Sequence, residues 1–228
     1  MKKKYAIIVA GGIGSRMGGD LPKQFQNLNG RPILMHTIEK FAGAKSNPII
    51  IVVLNEMMNE KWIDLCESHG FDIPHKVVFG GQSRFKSVQN GLSEIQLLEE
   101  HNMHNVYVAI HDAARPLITS ALIDKCFNST EINGATVLAV TSVDSVRKGS
   151  STLNETVDRD LVWLVQTPQT FRGDILEHAF RQKESLSFTD DASVVEKLGY
   201  PIHLIQGDHK NIKITYPEDI QIAQLFLP

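Results

Sequence analysis

Residues 5–19 read Tyr5-Ala6-Ile7-Ile8-Val9-Ala10-Gly11-Gly12-Ile13-Gly14-Ser15-Arg16-Met17-Gly18-Gly19. A short apolar run closed by glycines is the pattern of a strand buried on both faces, as in parallel sheets covered by helices. The rest of the chain repeats the alternation. Pro32 suits the first turn of a helix that carries Ile33, Ile38 and Phe41 and stops at Gly43. Ile49–Leu54 reads as a second strand, Asn59–His69 as a helix, and Lys76–Phe79 as a short strand ending at Gly80-Gly81. Ser83 is placed to cap a helix whose Val88, Leu92 and Ile95 share one face. Val106–Ile110 and Ala135–Val140 are further strands, separated by a helix marked by Leu122, Ile123, Cys126 and Phe127. Leu161–Val165 reads as a strand, Arg172–Glu184 as a helix, and Pro217 opens a last helix through Phe226. Strands alternating with helices predict an α/β fold with a mostly parallel sheet covered on both faces.

The alternation fails between Thr141 and Arg159, where only Val143, Val146, Leu153 and Val157 are apolar. A structureless loop that long is uncommon in a compact domain. It predicts an arm at about 141–162, either an extended hairpin or a mobile lid. No repeat or Gly/Ser linker divides the chain, so residues 1–228 are read as a single domain.

Composition excludes several classes. The chain has 228 residues, 42% hydrophobic and 21% charged, with a formal charge of −3, which argues against a disordered chain and against a basic nucleic-acid binder. The longest apolar runs, Tyr5–Ala10 and Ile49–Leu54, are six residues, far short of the ~20 needed to span a membrane. The N-terminus lacks the apolar stretch and cleavage site of a secretory signal. Cys66 and Cys126 imply no metal or disulfide framework and read as buried free thiols. These features predict a cytoplasmic protein with no membrane and no nucleic-acid partner.

The glycine loop after the first strand admits three readings. The dinucleotide fingerprint G-x-G-x-x-G fails, because counting from Gly12 and Gly14 puts Met17 at the third glycine. The P-loop fails because Asp20-Leu21 follow Gly19 in place of Lys-Ser/Thr. The third reading is a nucleotidyltransferase loop: Gly11, Gly12, Gly14, Arg16 and Met17, then Pro22-Lys23. Glycines let the backbone approach a ligand and point N–H groups at phosphate oxygens. Arg16 and Lys23 bring the charge that phosphoryl transfer needs, since catalysis there is positioning plus neutralisation.

Gly11–Met17 with Pro22-Lys23-Gln24-Phe25 resembles the pyrophosphorylase superfamily that makes nucleotide-activated sugars and alcohols. Later motifs narrow the resemblance: Gly80-Gly81-Gln82-Ser83-Arg84 with Ser87-Val88, His111-Asp112-Ala113-Ala114-Arg115-Pro116, Thr156–Arg159, Gln166-Thr167-Pro168-Gln169, Thr189–Ser193, and Asn211–Thr215. In that order they are similar to the methylerythritol phosphate cytidylyltransferases of non-mevalonate isoprenoid biosynthesis, from about residue 5 to residue 226. The resemblance implies a Rossmann-like three-layer sandwich with a protruding β-hairpin arm, and transfer of CMP from CTP to a polyol phosphate with Mg²⁺. It implies that Ala10, Gly11, Gly12, Ile13 and Gly14 cradle the triphosphate, and that Gly81, Gln82, Ser87 and Ala113 hold the rest of the nucleotide. Arg16, Lys23, Arg159 and Lys213 are the implied catalytic cations. Asp112, Arg115, Ser145, Thr167 and Thr189 frame the acceptor with Arg159 and Lys213. Asp112 would also lie near a Mg²⁺ held mainly by CTP. The arm would join a homodimer, so that Arg159 and Ser145 act in the partner's site.

Some of these residues also read without a ligand. Lys213 lies in a β-branched run and suits an edge strand. Thr189 suits the cap of a helix beginning near Ala192. Asp112 could simply pair with Arg115, and Arg159 could be a solvated charge. His111 reads as a packed strand-end histidine rather than a base, because an attacking phosphate is already ionised. The glycine loop is equally similar to ribitol-5-phosphate cytidylyltransferases, and Ser145 stands where the family pattern has threonine. Thr156–Arg159 and Ala113-Ala114 favour methylerythritol phosphate over ribitol phosphate. A nucleotide-binding regulatory module is a third reading, opposed by the presence of Arg16, Lys23 and Lys213.

Overall fold

The computed structural model describes residues 2–12 and 21–227. Strand β1 (Lys3–Ala10) is followed by a two-stranded ribbon, β2 (Asn27–Leu28) and β3 (Arg31–Pro32), and by helix α1 (Ile33–Ala42). Next come β4 (Ile49–Leu54), α2 (Asn59–Ser68), β5 (Lys76–Phe79), α3 (Arg84–Leu98), β6 (Val106–Asp112), α4 (Ser120–Asn133) and β7 (Ala135–Thr141). The arm holds β8 (Val146–Gly149) and β9 (Asn154–Val157). The chain closes with β10 (Trp163–Arg172), α5 (Gly173–Phe180), α6 (Asp191–Glu196), β11 (His203–Gln206) and α7 (Pro217–Phe226). Seven strands form one sheet in the order β11-β7-β10-β6-β1-β4-β5. Only β10 runs antiparallel to its neighbours β6 and β7. The mostly parallel α/β reading therefore holds.

Period-two alternation in β1 feeds both sides of this sheet. Ala6, Ile8 and Ala10 pack with Leu34, Phe41, Trp62 and Phe127 from α1, α2 and α4. Tyr5 and Ile7 pack on the opposite face with Val88, Leu92, Leu176 and Val194 from α3, α5 and α6. Burial on both sides is why β1 shows no polar position between Tyr5 and Ala10. A third cluster of Leu28, Ile33, Leu117, Ile214 and Ala223 seats α7 and the segment before it. Cys66 and Cys126 are free thiols, the first half-buried and the second buried.

Two expectations need correction, and one strand has no counterpart among them. The strand expected at Leu161–Val165 begins at Trp163, after a short turn over Arg159–Leu161, and continues to Arg172, where a register shift between Val165 and Gln169 accommodates Pro168, which has no N–H to give the ladder. The helix expected from Arg172 to Glu184 ends at Phe180, where its apolar spacing ends. The strand with no counterpart is β11. Its four residues, His-Leu-Ile-Gln, are too few for a period, and pairing with β7 supplies the order.

The arm is a hairpin. β8 and β9 pair only with each other, and Ser142 N–H donates to Val162 C=O at 3.0 Å at the base. Val146 and Val157 are half-buried, while Val143, Leu153 and Leu161 are exposed, Leu153 at 81% and Leu161 at 78%.

Gly173 sets how closely α5 approaches β6. A Cβ there would lie 2.3 Å from Val106 Cγ2 and 2.5 Å from the Met103 carbonyl oxygen. Gly173→Ala should therefore cost about 1–3 kcal/mol of stability through overpacking. A urea titration checks this, and an unchanged midpoint would contradict it.

Candidate active site

A cavity of about 420 Å³ opens at the carboxyl ends of β1, β4, β5 and β6, where ligands bind in open α/β sheets. Its walls include Ala10, Gly11, Gly12, Lys23, Gly81, Gln82, Ser87 and Ala113. Seven of these are residues expected around the nucleotide, and Lys23 is one of the expected catalytic cations. Ile13, Gly14 and Arg16 lie outside the described residues.

The two shores of the glycine loop are tied together by Gln24. It is buried, and its Nε2 donates to the Ala10 carbonyl at 2.6 Å and to the Gly12 carbonyl at 3.1 Å. In a planar trans peptide the N–H points opposite the C=O, so these bonds turn the Gly11 amide away from Gln24. Lys23 begins the same short turn, Lys23–Phe25, and its Nζ donates to the Ile214 carbonyl at 3.1 Å. Phe25 anchors that turn by stacking on Trp62, with ring centroids 5.9 Å apart.

The far wall is the loop between β5 and α3. Ser83 caps α3 by accepting from Lys86 N–H at 3.1 Å. Ser87 accepts from Gly81 N–H at 3.2 Å and donates to the Ser83 carbonyl at 2.9 Å. Its one hydroxyl proton is thus engaged in shaping the loop. Gly81 is required there, because a Cβ would sit 2.4 Å from Lys86 Cβ.

A second cavity, about 340 Å³, shares Arg84, Asp112 and Lys213 with the first and adds Arg115, Thr167 and Thr189. Asp112 stands at the junction. Its carboxylate receives Lys213 Nζ at 2.8 Å, with Arg84 Nε at 3.5 Å and Arg115 Nε at 3.7 Å. Burial alone would raise the Asp112 pKa, but Arg84, Lys213 and Arg115 hold it well below the usual carboxylate range. Asp112 pairs with Arg115 as the simpler reading has it, and with two further cations as well.

Lys213 is not on an edge strand. Its segment is irregular and is pinned on either side: Asn211 Nδ2 donates to the Thr167 carbonyl at 3.0 Å, and Ile214 N–H to the Ala114 carbonyl at 2.8 Å. Arg115 is drawn the same way, with Nη1 donating to the Asn211 carbonyl at 2.7 Å.

His111 is fully buried against Phe41. Its Nε2 faces the Arg115 carbonyl at 3.2 Å, which can only accept, so the proton is on Nε2. Nδ1 then accepts from the Thr167 hydroxyl at 3.1 Å, and the same hydroxyl accepts from Asp112 N–H at 3.1 Å. Burial pushes the His111 pKa down to about 4, so the imidazole is neutral at neutral pH. The packed-histidine reading stands. Thr167 Oγ1 reaches the second cavity with its proton already given to His111.

Thr189 lines the second cavity but caps no helix. Asp190 does so, accepting from Ser193 N–H at 2.8 Å. Ser145 and Arg159 line neither cavity. Both are exposed on the arm, where Arg159 Nη1 donates to the Val143 carbonyl at 3.2 Å. Sequence reasoning missed Gln24, Asn211, Arg84 and Asp191. Gln24, Arg84, Asp191 and Asn211 all fall inside quoted motifs, but nothing in the local pattern distinguishes them from solvated neighbours.

The family model described as 2-C-methyl-D-erythritol 4-phosphate cytidylyltransferase matches residues 5–228. Relatives bearing that name include one from Bacteroides fragilis, 43% identical over 224 residues (98% of this chain, 99% of the relative). One from Porphyromonas gingivalis is 44% identical over 227 residues (99% and 98%). Among solved structures, a 4-diphosphocytidyl-2C-methyl-D-erythritol synthase from Anaerococcus prevotii superposes with a TM-score of 0.82 at 27% identity, covering 99% of this chain and 96% of that one. The Francisella tularensis 2-C-methyl-D-erythritol 4-phosphate cytidylyltransferase does so with a TM-score of 0.77 at 32% identity, covering 99% and 100%.

Proposed function

The chain belongs to the 2-C-methyl-D-erythritol 4-phosphate cytidylyltransferase family, and on that premise we propose how its two joined cavities divide the reaction. The enzyme transfers CMP from CTP to 2-C-methyl-D-erythritol 4-phosphate, giving 4-diphosphocytidyl-2-C-methyl-D-erythritol and pyrophosphate in non-mevalonate isoprenoid biosynthesis. In our reading the first cavity takes CTP and the second takes the acceptor. The observation that carries this is Asp112 with Lys213 at the junction.

Ala10 through Gly14 cradle the triphosphate, while Gly81, Gln82, Ser87 and Ala113 border the base and ribose. Arg16 and Lys23 neutralise charge that grows at the α-phosphate and on the departing pyrophosphate. Asp112 accepts an acceptor hydroxyl, and Arg115, Thr167 and Thr189 frame that molecule. Lys213 orients the attacking phosphate, which needs no base because it is ionised. Holding both substrates in line turns a bimolecular encounter into a positioned one.

Among the described residues no group of three or more His, Cys, Asp and Glu side chains is disposed to hold a metal. Asp112 already faces three cations. This donor set fits a Mg²⁺ carried mainly by the CTP phosphates, with Asp112 nearby, since Mg²⁺ prefers phosphate oxygens, water and one or two carboxylates. Bound there, the ion would neutralise triphosphate charge.

The working unit in this reading is a homodimer. The exposed apolar residues of the hairpin, and the absence of Arg159 and Ser145 from the lining of either cavity, support their delivery to the partner's site. The reading includes a cytoplasmic location, supported by the free thiols of Cys66 and Cys126. Among the described residues no helix is long and apolar enough to cross a membrane.

Pyrophosphate release tests the assignment, with CTP and Mg²⁺ against methylerythritol 4-phosphate and ribitol 5-phosphate in parallel, and ATP as control. Turnover with methylerythritol phosphate alone is expected. Turnover with ribitol phosphate alone would overturn the acceptor.

A further inference from the structure

Of the three cations around Asp112, two belong to the acceptor side as assigned above. Lys213 orients the attacking phosphate and Arg115 frames the alcohol. The third, Arg84, was given no role. It starts α3 and lines both cavities, so it stands in the wall between them.

Its guanidinium is anchored from behind. Nη1 donates to Asp191 Oδ1 and Nη2 to Asp191 Oδ2, both at 2.7 Å. Asp191 opens α6 and is 1% exposed. A two-pronged bond of this kind fixes the plane of the guanidinium. Among the N–H groups left over is that of Nε, and Nε faces Asp112 at 3.5 Å. For Arg84 to swing onto a substrate phosphate, it would have to abandon a buried carboxylate, which is strongly unfavourable.

Charge accounting gives the arrangement a purpose. Without substrate, two carboxylates, Asp112 and Asp191, face three cations, Arg84, Arg115 and Lys213. When Lys213 turns to an acceptor phosphate, Asp112 would lose its shortest contact. Arg84, locked in place from behind, and Arg115 remain, so two cations still face two carboxylates.

We propose that Arg84, anchored by Asp191, is a positioning residue that holds Asp112 at the junction of the cavities while Lys213 moves to the acceptor's phosphate. The inference rests on the assignment of the second cavity to the acceptor. It ties α3 beside the nucleotide cavity to α6, and the two residues before α6, Thr189 and Asp190, line the acceptor cavity.

Steady-state kinetics in both substrates test it. Arg84→Gln should raise KM for methylerythritol 4-phosphate by about ten-fold or more, with KM for CTP changed by no more than about three-fold, since small misplacements of a binding group are costly. Arg84→Lys keeps the charge but loses the fork, so it should recover part of the loss. Asp191→Asn should shift the same constant in the same direction. Adding it to Arg84→Gln should cost little more, because residues acting as one unit are not additive. A rise in KM for CTP as large as that for the acceptor would overturn the proposal and make Arg84 a nucleotide ligand. A lower unfolding midpoint with unchanged kinetics would make it a fold residue only. Should Arg84→Gln not fold, the Lys and Asn variants carry the same split. Lys213→Ala, run alongside, separates the two layers. If it leaves the acceptor KM unchanged, the cavity assignment falls and this inference with it. If it raises that KM and the Arg84 variants do not, this inference alone falls.

Discussion

Lys23→Ala is expected to lower kcat by roughly 10²–10³-fold, the usual loss when a preorganised group facing transition-state charge is removed. The lysine is held in place by its surroundings. Phe25, two residues on, stacks on buried Trp62, and Gln24 ties the turn to the Ala10 and Gly12 carbonyls. Lys23 itself is only half-buried, so removing its side chain should leave the turn and the fold intact. Lys23→Arg keeps the charge with another shape and should retain part of the activity. Pre-steady-state measurement of the chemical step separates this loss from slow product release. Near-normal turnover in Lys23→Ala would remove the residue from the catalytic set.

The second large effect is a gain. Arg159→Ala should be as poor a catalyst as Lys23→Ala, yet mixed subunits should recover activity. Arg159 lies on the arm, outside both cavities of its own chain, and Leu153 and Leu161 leave the arm's apolar surface uncovered. In a two-fold dimer each site would then combine Lys23 of one chain with Arg159 of the other. Equal mixing gives about half heterodimers, each with one intact site of two, so about a quarter of wild-type activity should return. Differently tagged subunits, refolded together and purified as heterodimers, make the test decisive. No recovery in such heterodimers would mean that Arg159 acts in its own chain or not at all.

The legibility of this protein follows from the range of each interaction. The sheet strands with long apolar runs were readable because burial on both faces leaves no polar position, as in Tyr5–Ala10 and Ile49–Leu54. β11 was not, because four edge residues carry no period and their order comes from β7. β10 was half readable. Its first residues are apolar, while Gln166-Thr167-Pro168-Gln169 resembles a loop until β6 and β7 flank it.

The site divides the same way. The glycine loop, Lys23, Gly81 and Asp112 were legible because backbone freedom and fixed charge are properties of the residue itself. Other roles depended on partners. Thr167 and Ser87 read as hydroxyls for the acceptor and the nucleotide, and the fold engages one with His111 and Asp112 and the other with Gly81 and Ser83. Thr189 read either as an acceptor residue or as a cap, and capping is a task that Asp190 performs one residue later.

From the sequence by itself came the α/β class and the family, because each rests on local periodicity or motif order. The tertiary structure alone decided which charges meet. Arg84 and Asp191 are 107 residues apart in the chain and joined by two bonds of 2.7 Å, and Lys213 crosses from the C-terminal segment to Asp112 at 2.8 Å. No local pattern encodes such contacts, because a charged side chain carries the same propensities whether it ends in water or beside a buried carboxylate. Only the closing of the sheet, which brings the ends of β1, β6 and β10 together under α3 and α6, settles which of the two it is.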